Sequence, residues 1–121
     1  MVEDVKPVIW IGSSYNDWKA FPDDVQDVLG YSLHLAQQGE TAQNVKPLKG
    51  FKGASVLEIV DRFDSDTYRA IHTVSFREAV YVLHAFQKKS TRGITTRKID
   101  VDLAKQRLKL AEAIHATYQE Q

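Results

Sequence analysis

VLEIVDRFDSDTYRAIHTVSFREAVYVLHAFQK, residues 56–88, decides the architecture. Three runs rich in β-branched and aromatic residues, Val56 to Phe63, Thr67 to Phe76 and Ala79 to Lys88, follow one another closely. The links around Asp64 to Asp66 and at Arg77–Glu78 are far shorter than a parallel crossover, so the strands run antiparallel as a meander. Upstream, Val5 to Ile11 reads as a first strand, with Pro7 at its beginning or on a sheet edge. Ser13 or Ser14 caps a short helical turn through Trp18. Pro22 opens a helix at its first position, Val25, Val28, Leu29, Leu33 and Ala36 recur at helical spacing, and Gly39 ends it. Glu40 to Ser55 reads as a loop, because Pro47, Gly50 and Gly53 punctuate a polar stretch. Downstream, Ser90 to Lys98 is a basic loop, and Asp100 caps a terminal helix with Ala104, Leu108, Ala111 and His115 near one stripe that Leu103, Leu110 and Ile114 widen. The order β, α, β, β, β, α predicts one α+β domain over residues 1–121, its helices covering one face of the sheet.

Strand alternation then predicts facing. A two-residue turn at Arg77–Glu78 pairs Arg69 with Phe86, and one at Ser65–Asp66 pairs Arg62 with Arg69. Leu57, Ile59, Phe63, Ala70, Val74, Phe76, Tyr81 and Leu83 then share the helix-covered face. Glu58, Arg62, Arg69, His84, Phe86 and Lys88 share the other.

Net charge is formally zero, yet Phe86 to Lys98 contains Lys88, Lys89, Arg92, Arg97 and Lys98 without an acid. Lys46, Lys49 and Lys52 form a second basic cluster, and Asp23, Asp24, Asp27, Asp61, Asp64 and Asp66 lie elsewhere. Such segregation creates a local positive field on a neutral molecule, although solvated loops produce the same pattern. With no cysteine, disulfides, thiolate metal sites and a cysteine nucleophile are excluded. Met1 to Lys6 lacks the pattern of a signal peptide, and no apolar run approaches the ~20 residues of a membrane span, so a cytoplasmic protein is expected.

The polar face has the ingredients for phosphodiester chemistry. RNA cleavage by the 2′-hydroxyl needs a base, cations where charge develops on phosphorus, and an acid for the leaving 5′-oxygen. Arg69 offers a permanently charged fork for phosphate oxygens, joined by Arg62, Lys49, Lys52 and Arg92 as substrate contacts. Lys88 or Lys89, crowded by other cations, can serve as base, and His84 as acid or base. Phe86 offers a plane for an unstacked base. Each has a structural competitor: Arg69 pairing with Glu58, His84 as a hydrogen-bonded sheet residue, Lys88–Lys89 as charges guarding a strand end. No phosphate-loop glycine pattern, dinucleotide motif or metal-ligand histidine spacing occurs, so neither cofactor nor metal is expected.

The segments TYRA (67–70) and VYVLHAFQKKS (80–90), together with KPLKG (46–50), the LEI strand and a terminal helix bearing Arg107, resemble bacterial toxins of the RelE/HigB type. The branch meant is the phage-derived, HigB-like one, and the likeness covers nearly the whole chain. The resemblance implies a RelE-like α+β fold with a mixed-edge sheet. It also implies a ribosome-dependent endoribonuclease that cuts messenger RNA, inhibits translation and arrests growth. A cognate antitoxin of the helix-turn-helix, HigA-like type is implied as partner, with DNA contacted only through that complex. By motif position, Arg69 stabilises the phosphate, Lys88 and Lys89 bind substrate or transfer protons, and Glu58 and His84 match the branch. Asp61 departs from it, placing an acid on a strand where such nucleases often carry bases. Two other readings stand beside this one: a ParE-like toxin that binds gyrase without cutting RNA, and an inactive phage-derived interaction domain.

Overall fold

The computed structural model describes residues 5–51, 55–89 and 96–119. In chain order the elements are β1 (Val8–Trp10), α1 (Ser14–Lys19), α2 (Asp23–Gln37), β2 (Val45–Pro47), β3 (Val56–Phe63), β4 (Asp66–Thr73), β5 (Val80–Lys88) and α3 (Lys98–Gln119). They build a five-stranded sheet in the order β1-β5-β4-β3-β2. The meander β3–β4–β5 is antiparallel as expected, and β1 runs parallel to β5, giving the α+β fold its mixed edge.

Three details differ from the expectations. Residues 45–47 form a strand, not loop, pairing Val45 with Ile59 and Lys46 with Glu58. Three residues are too few to show periodicity, and Pro47 is tolerated because this strand is the sheet's edge. The β3–β4 turn is Asp64–Ser65, both with positive φ (52° and 70°), so Arg69 faces Val60 and Arg62 faces Thr67. This two-residue displacement from the expected pairing restores the same face, because side chains alternate with period two. Finally, β4 and β5 are joined through residues 74–79 and not by a two-residue turn. Arg69 still pairs with Phe86, because Leu83 is an extra residue on β5: Ile71 pairs with His84, but His72 pairs with Val82.

The bulge and the helices together divide the core. Val25, Leu29, Leu33 and Ala36 of α2, with Trp18 of α1 and Phe21, pack on Ile59, Tyr68, Ala70 and Ala85. Ala104 and Ala111 of α3 pack instead with Ile71, Tyr81, Leu83 and Phe86. Ala70 and Ile71 are neighbours in a strand, as are Ala85 and Phe86, so the two clusters lie on opposite faces. The expectation that every helix covers one face is therefore corrected: α3 lies on the face that carries Arg69. Phe76, Tyr81 and Leu83, expected beside Ala70, belong to α3's side. Among the described residues no helix is long and apolar enough to cross a membrane.

Candidate functional site

Three rows of cross-strand partners assemble the site: Glu58–Ile71–His84, Val60–Arg69–Phe86 and Arg62–Thr67–Lys88. Arg69 is at the centre, with Glu58, His84, Arg62 and Lys88 at its four diagonals. Strands lie about 4.8 Å apart, so Glu58 and His84 are separated by roughly 10 Å of backbone spacing. The predicted grouping of these residues on one face is what the register delivers.

The centre is closed by hydrogen bonds. Arg69 is 3% exposed and Glu58 0%. The Arg69 Nη1 donates to Glu58 Oε1 at 3.0 Å and to Thr96 Oγ1 at 3.3 Å, while Thr96 Oγ1 donates to Glu58 Oε2 at 2.7 Å. Lys46 Nζ lies 3.8 Å from Glu58 Oε1, brought there by β2. Arg69 Nε is buried with no hydrogen-bond partner. The structural competitor considered for Arg69, a pair with Glu58, is thus present in the fold. Two cations against one carboxylate still leave the cluster positive. Arg69 also lines a 290 Å³ cavity with Lys46, Arg62, Thr67, Asn44 and Val60, so its surroundings open toward solvent on the β2 side.

His84 is held separately. Its Nε2 lies 2.8 Å from Asp100 Oδ1, and Arg97 Nε donates to Asp100 Oδ2 at 3.0 Å. Asp100 was expected as a helix cap; it sits inside the first turn of α3, buried, with its carboxylate on the histidine. The His84 Nδ1 is buried without a partner. Phe86 stacks on the His84 ring at 4.7 Å and 20° and is 9% exposed. The open stacking plane expected of Phe86 is therefore not formed: the ring faces His84 and the α3 cluster. Arg107 of α3 donates from Nη1 to Leu83 O and from Nη2 to Ser13 Oγ, both at 3.0 Å, satisfying a carbonyl at the bulge beside His84.

Of the remaining expected residues, Arg62 and Lys89 are exposed and Lys88 is half-buried on the Arg69 face. Lys49 is exposed at a second cavity of 330 Å³, which Lys46, Glu58, Thr96 and Val101 also line. Lys52 and Arg92 lie outside the described residues. Sequence reasoning missed Thr96 and the site role of Asp100, and it named Lys46 within a basic cluster without placing it beside Glu58. Asp100 had a visible signal, being the first acid after the acid-free basic stretch that begins at Phe86; Thr96 had none.

His72 and His115 serve the core, while His34 is exposed on α2. His72 is buried with neither ring nitrogen bonded, and burial lowers its pKa from 6.5 to about 4, so it stays neutral. His115 Nε2 lies 3.1 Å from Glu78, and its ring packs on Phe76 at 4.3 Å. Among the described residues, no group of three or more His, Asp or Glu is placed to hold a metal ion.

Chemically, the arrangement provides a fixed guanidinium, a carboxylate against it, an imidazole backed by a second carboxylate, and lysines at the rim. A family model described as "Phage derived protein Gp49-like (DUF891)" matches residues 16–109, more than three quarters of the chain. Neither a comparison with curated proteins nor one with solved structures returned a match. The matched span runs from α1 into α3 and includes every residue of the constellation around Arg69, and the chain belongs to the phage-derived Gp49-like family.

Proposed function

We propose that this protein is the toxin of a toxin–antitoxin pair, an endoribonuclease that cuts messenger RNA on the ribosome with acid–base chemistry from its own side chains. The observation that carries the reading is the convergence on Arg69 of Arg62, Lys88, Glu58 and His84 from three adjacent strands. Membership of a phage-derived family agrees with the RelE/HigB resemblance of TYRA and LHAFQKKS.

In this reading the scissile phosphate approaches from the cavity beside Arg62 and Lys46, and Arg69 neutralises the charge that develops on its oxygens. A base takes the 2′-hydroxyl proton as that oxygen attacks phosphorus, the bond to the 5′-oxygen breaks, and an acid protonates the leaving oxygen. His84, oriented by Asp100, is one proton-transfer group. Lys88, Lys89 and Glu58 supply the other function and the surrounding field. The cognate antitoxin and the ribosome are partners in this reading, and DNA is met only through the antitoxin complex.

The Arg69–Glu58 ion pair favours a second reading, a ParE-like protein that binds gyrase through this surface and cuts nothing. Arg69→Lys separates the two. It keeps the charge beside Glu58 but loses the planar fork. Nuclease action predicts messenger cleavage in a translation extract by the wild type, at least about a hundredfold weaker in the variant. Intact messenger together with inhibited DNA supercoiling selects the gyrase reading.

A further inference from the structure

α2 carries two apolar stripes, and the core uses one. Val28, Tyr31 and Leu35, at helical spacing i, i+3, i+7, point away from it, with Tyr31 63% and Val28 42% exposed. They form one wall of a groove of 720 Å³, and Val60 and Asp61 of β3 form the other. The floor is braced by Asn44. Its backbone oxygen accepts from Val60 N at 3.0 Å, its side-chain nitrogen donates to Val60 O at 3.4 Å, and its side-chain oxygen accepts from Ser32 Oγ at 2.8 Å.

Charge specifies what fits. The groove's ionisable carboxylates are Asp27 and Asp61, with no Lys, Arg or His in its lining. Asp61 is partly desolvated there, which raises its carboxyl above the ordinary range despite a hydrogen bond from the Arg62 N–H. Phosphates of RNA and anionic membranes are repelled by such a rim. Val28 to Leu35 spans about 10 Å along the helix axis, two turns, which matches the apolar stripe of a second helix laid alongside. We infer that this groove docks a helical segment of a partner protein, apolar on one face and edged with lysine or arginine.

The position has a consequence for the Arg69 cavity. Gln43, Asn44 and Val60 line both, so an occupant of the groove rests on the outer side of the wall that shapes the arginine pocket. The inference goes beyond the RNA-cleavage reading and stands without it, because docking is measured with no RNA present.

Two synthetic 18-residue helices with the same leucine stripe, one edged with lysine and one with glutamate, are titrated into the isotopically labelled full chain. The lysine peptide is expected to shift the amide resonances of Val28, Tyr31, Leu35, Asn44 and Asp61 saturably. Tyr31→Ala and Asp27→Lys each weaken it by about fivefold or more, as removal of an anchor does. Shifts confined to other surfaces, equal binding of both peptides, or no shift at millimolar peptide overturns the inference. A concentration-dependent dimer that Tyr31→Ala abolishes also overturns it, by assigning the groove to a second copy of the chain.

Discussion

Replacing Glu58 with alanine strips the buried Arg69 guanidinium of its carboxylate. It leaves Nη1 with the 3.3 Å contact to Thr96 and Nε without any partner. Removing one member of a buried pair typically costs about 3–5 kcal/mol, because the other charge stays desolvated and uncompensated. Domains of this size have about 5–15 kcal/mol in total, so the loss is a large share. With a urea slope of roughly 2 kcal/mol/M, the unfolding midpoint falls by about 2 M. Arg69→Met alone costs a similar amount, since Glu58 then keeps only Lys46 at 3.8 Å and Thr96. Glu58→Leu combined with Arg69→Met removes both charges together, and stability returns to within about 2 kcal/mol of the wild type. On the proposed reading the double variant is nevertheless expected to lose growth arrest and messenger cleavage, because Arg69, the group proposed to hold the phosphate, is gone. Urea unfolding of the four proteins, beside induction of each in cells, makes the comparison. Single variants as stable as the wild type would show that the pair carries no buried charge. A well-folded double variant that still arrests growth would refute the role assigned to Arg69.

Acid should destabilise the fold through His72. Its folded pKa of about 4 lies below the unfolded 6.5, so the unfolded chain binds the proton first. Its contribution is complete above about pH 6.5 and falls by up to about 1.4 kcal/mol per pH unit toward pH 4, roughly 3 kcal/mol in all. Urea unfolding across that range should show this slope in the wild type and lose it in His72→Leu. Asp100→Asn keeps a group on His84 Nε2 but removes the charge; cleavage is expected to drop about a hundredfold with near-native far-UV circular dichroism. Undiminished cleavage would exclude the His84–Asp100 pair from proton transfer. Ser65→Gly relieves a left-handed residue at φ 70° and should stabilise by about 1 kcal/mol, visible as a Tm rise of about 3–5 °C. An unchanged or lower Tm would mean that the turn stores no such strain.

The face bearing Glu58, Arg62, Arg69, His84, Phe86 and Lys88 is legible in the sequence, even though one expected turn moves by one residue and so shifts its cross-strand pairing by two. Parity explains this, since a two-residue displacement returns every side chain to its original side. Leu83 shows where that reasoning stops. A bulge adds one residue, reverses the facing of Tyr81 relative to Ala70, and leaves no mark in a run as uniformly apolar as VYVL.

The chain's own pattern determined the antiparallel meander, the helix over Asp23–Gln37 and the set of charged groups that share a strand face. These follow from local spacing and short links. Tertiary structure alone decided that α3 lies on the Arg69 face, that Asp100 meets His84, and that Thr96 and Lys46 close around Glu58. An amphipathic stripe states that a helix must bury a side, but not which sheet face will cover it. Contacts between residues tens of positions apart depend on how the faces are shared out, and no periodicity records that choice.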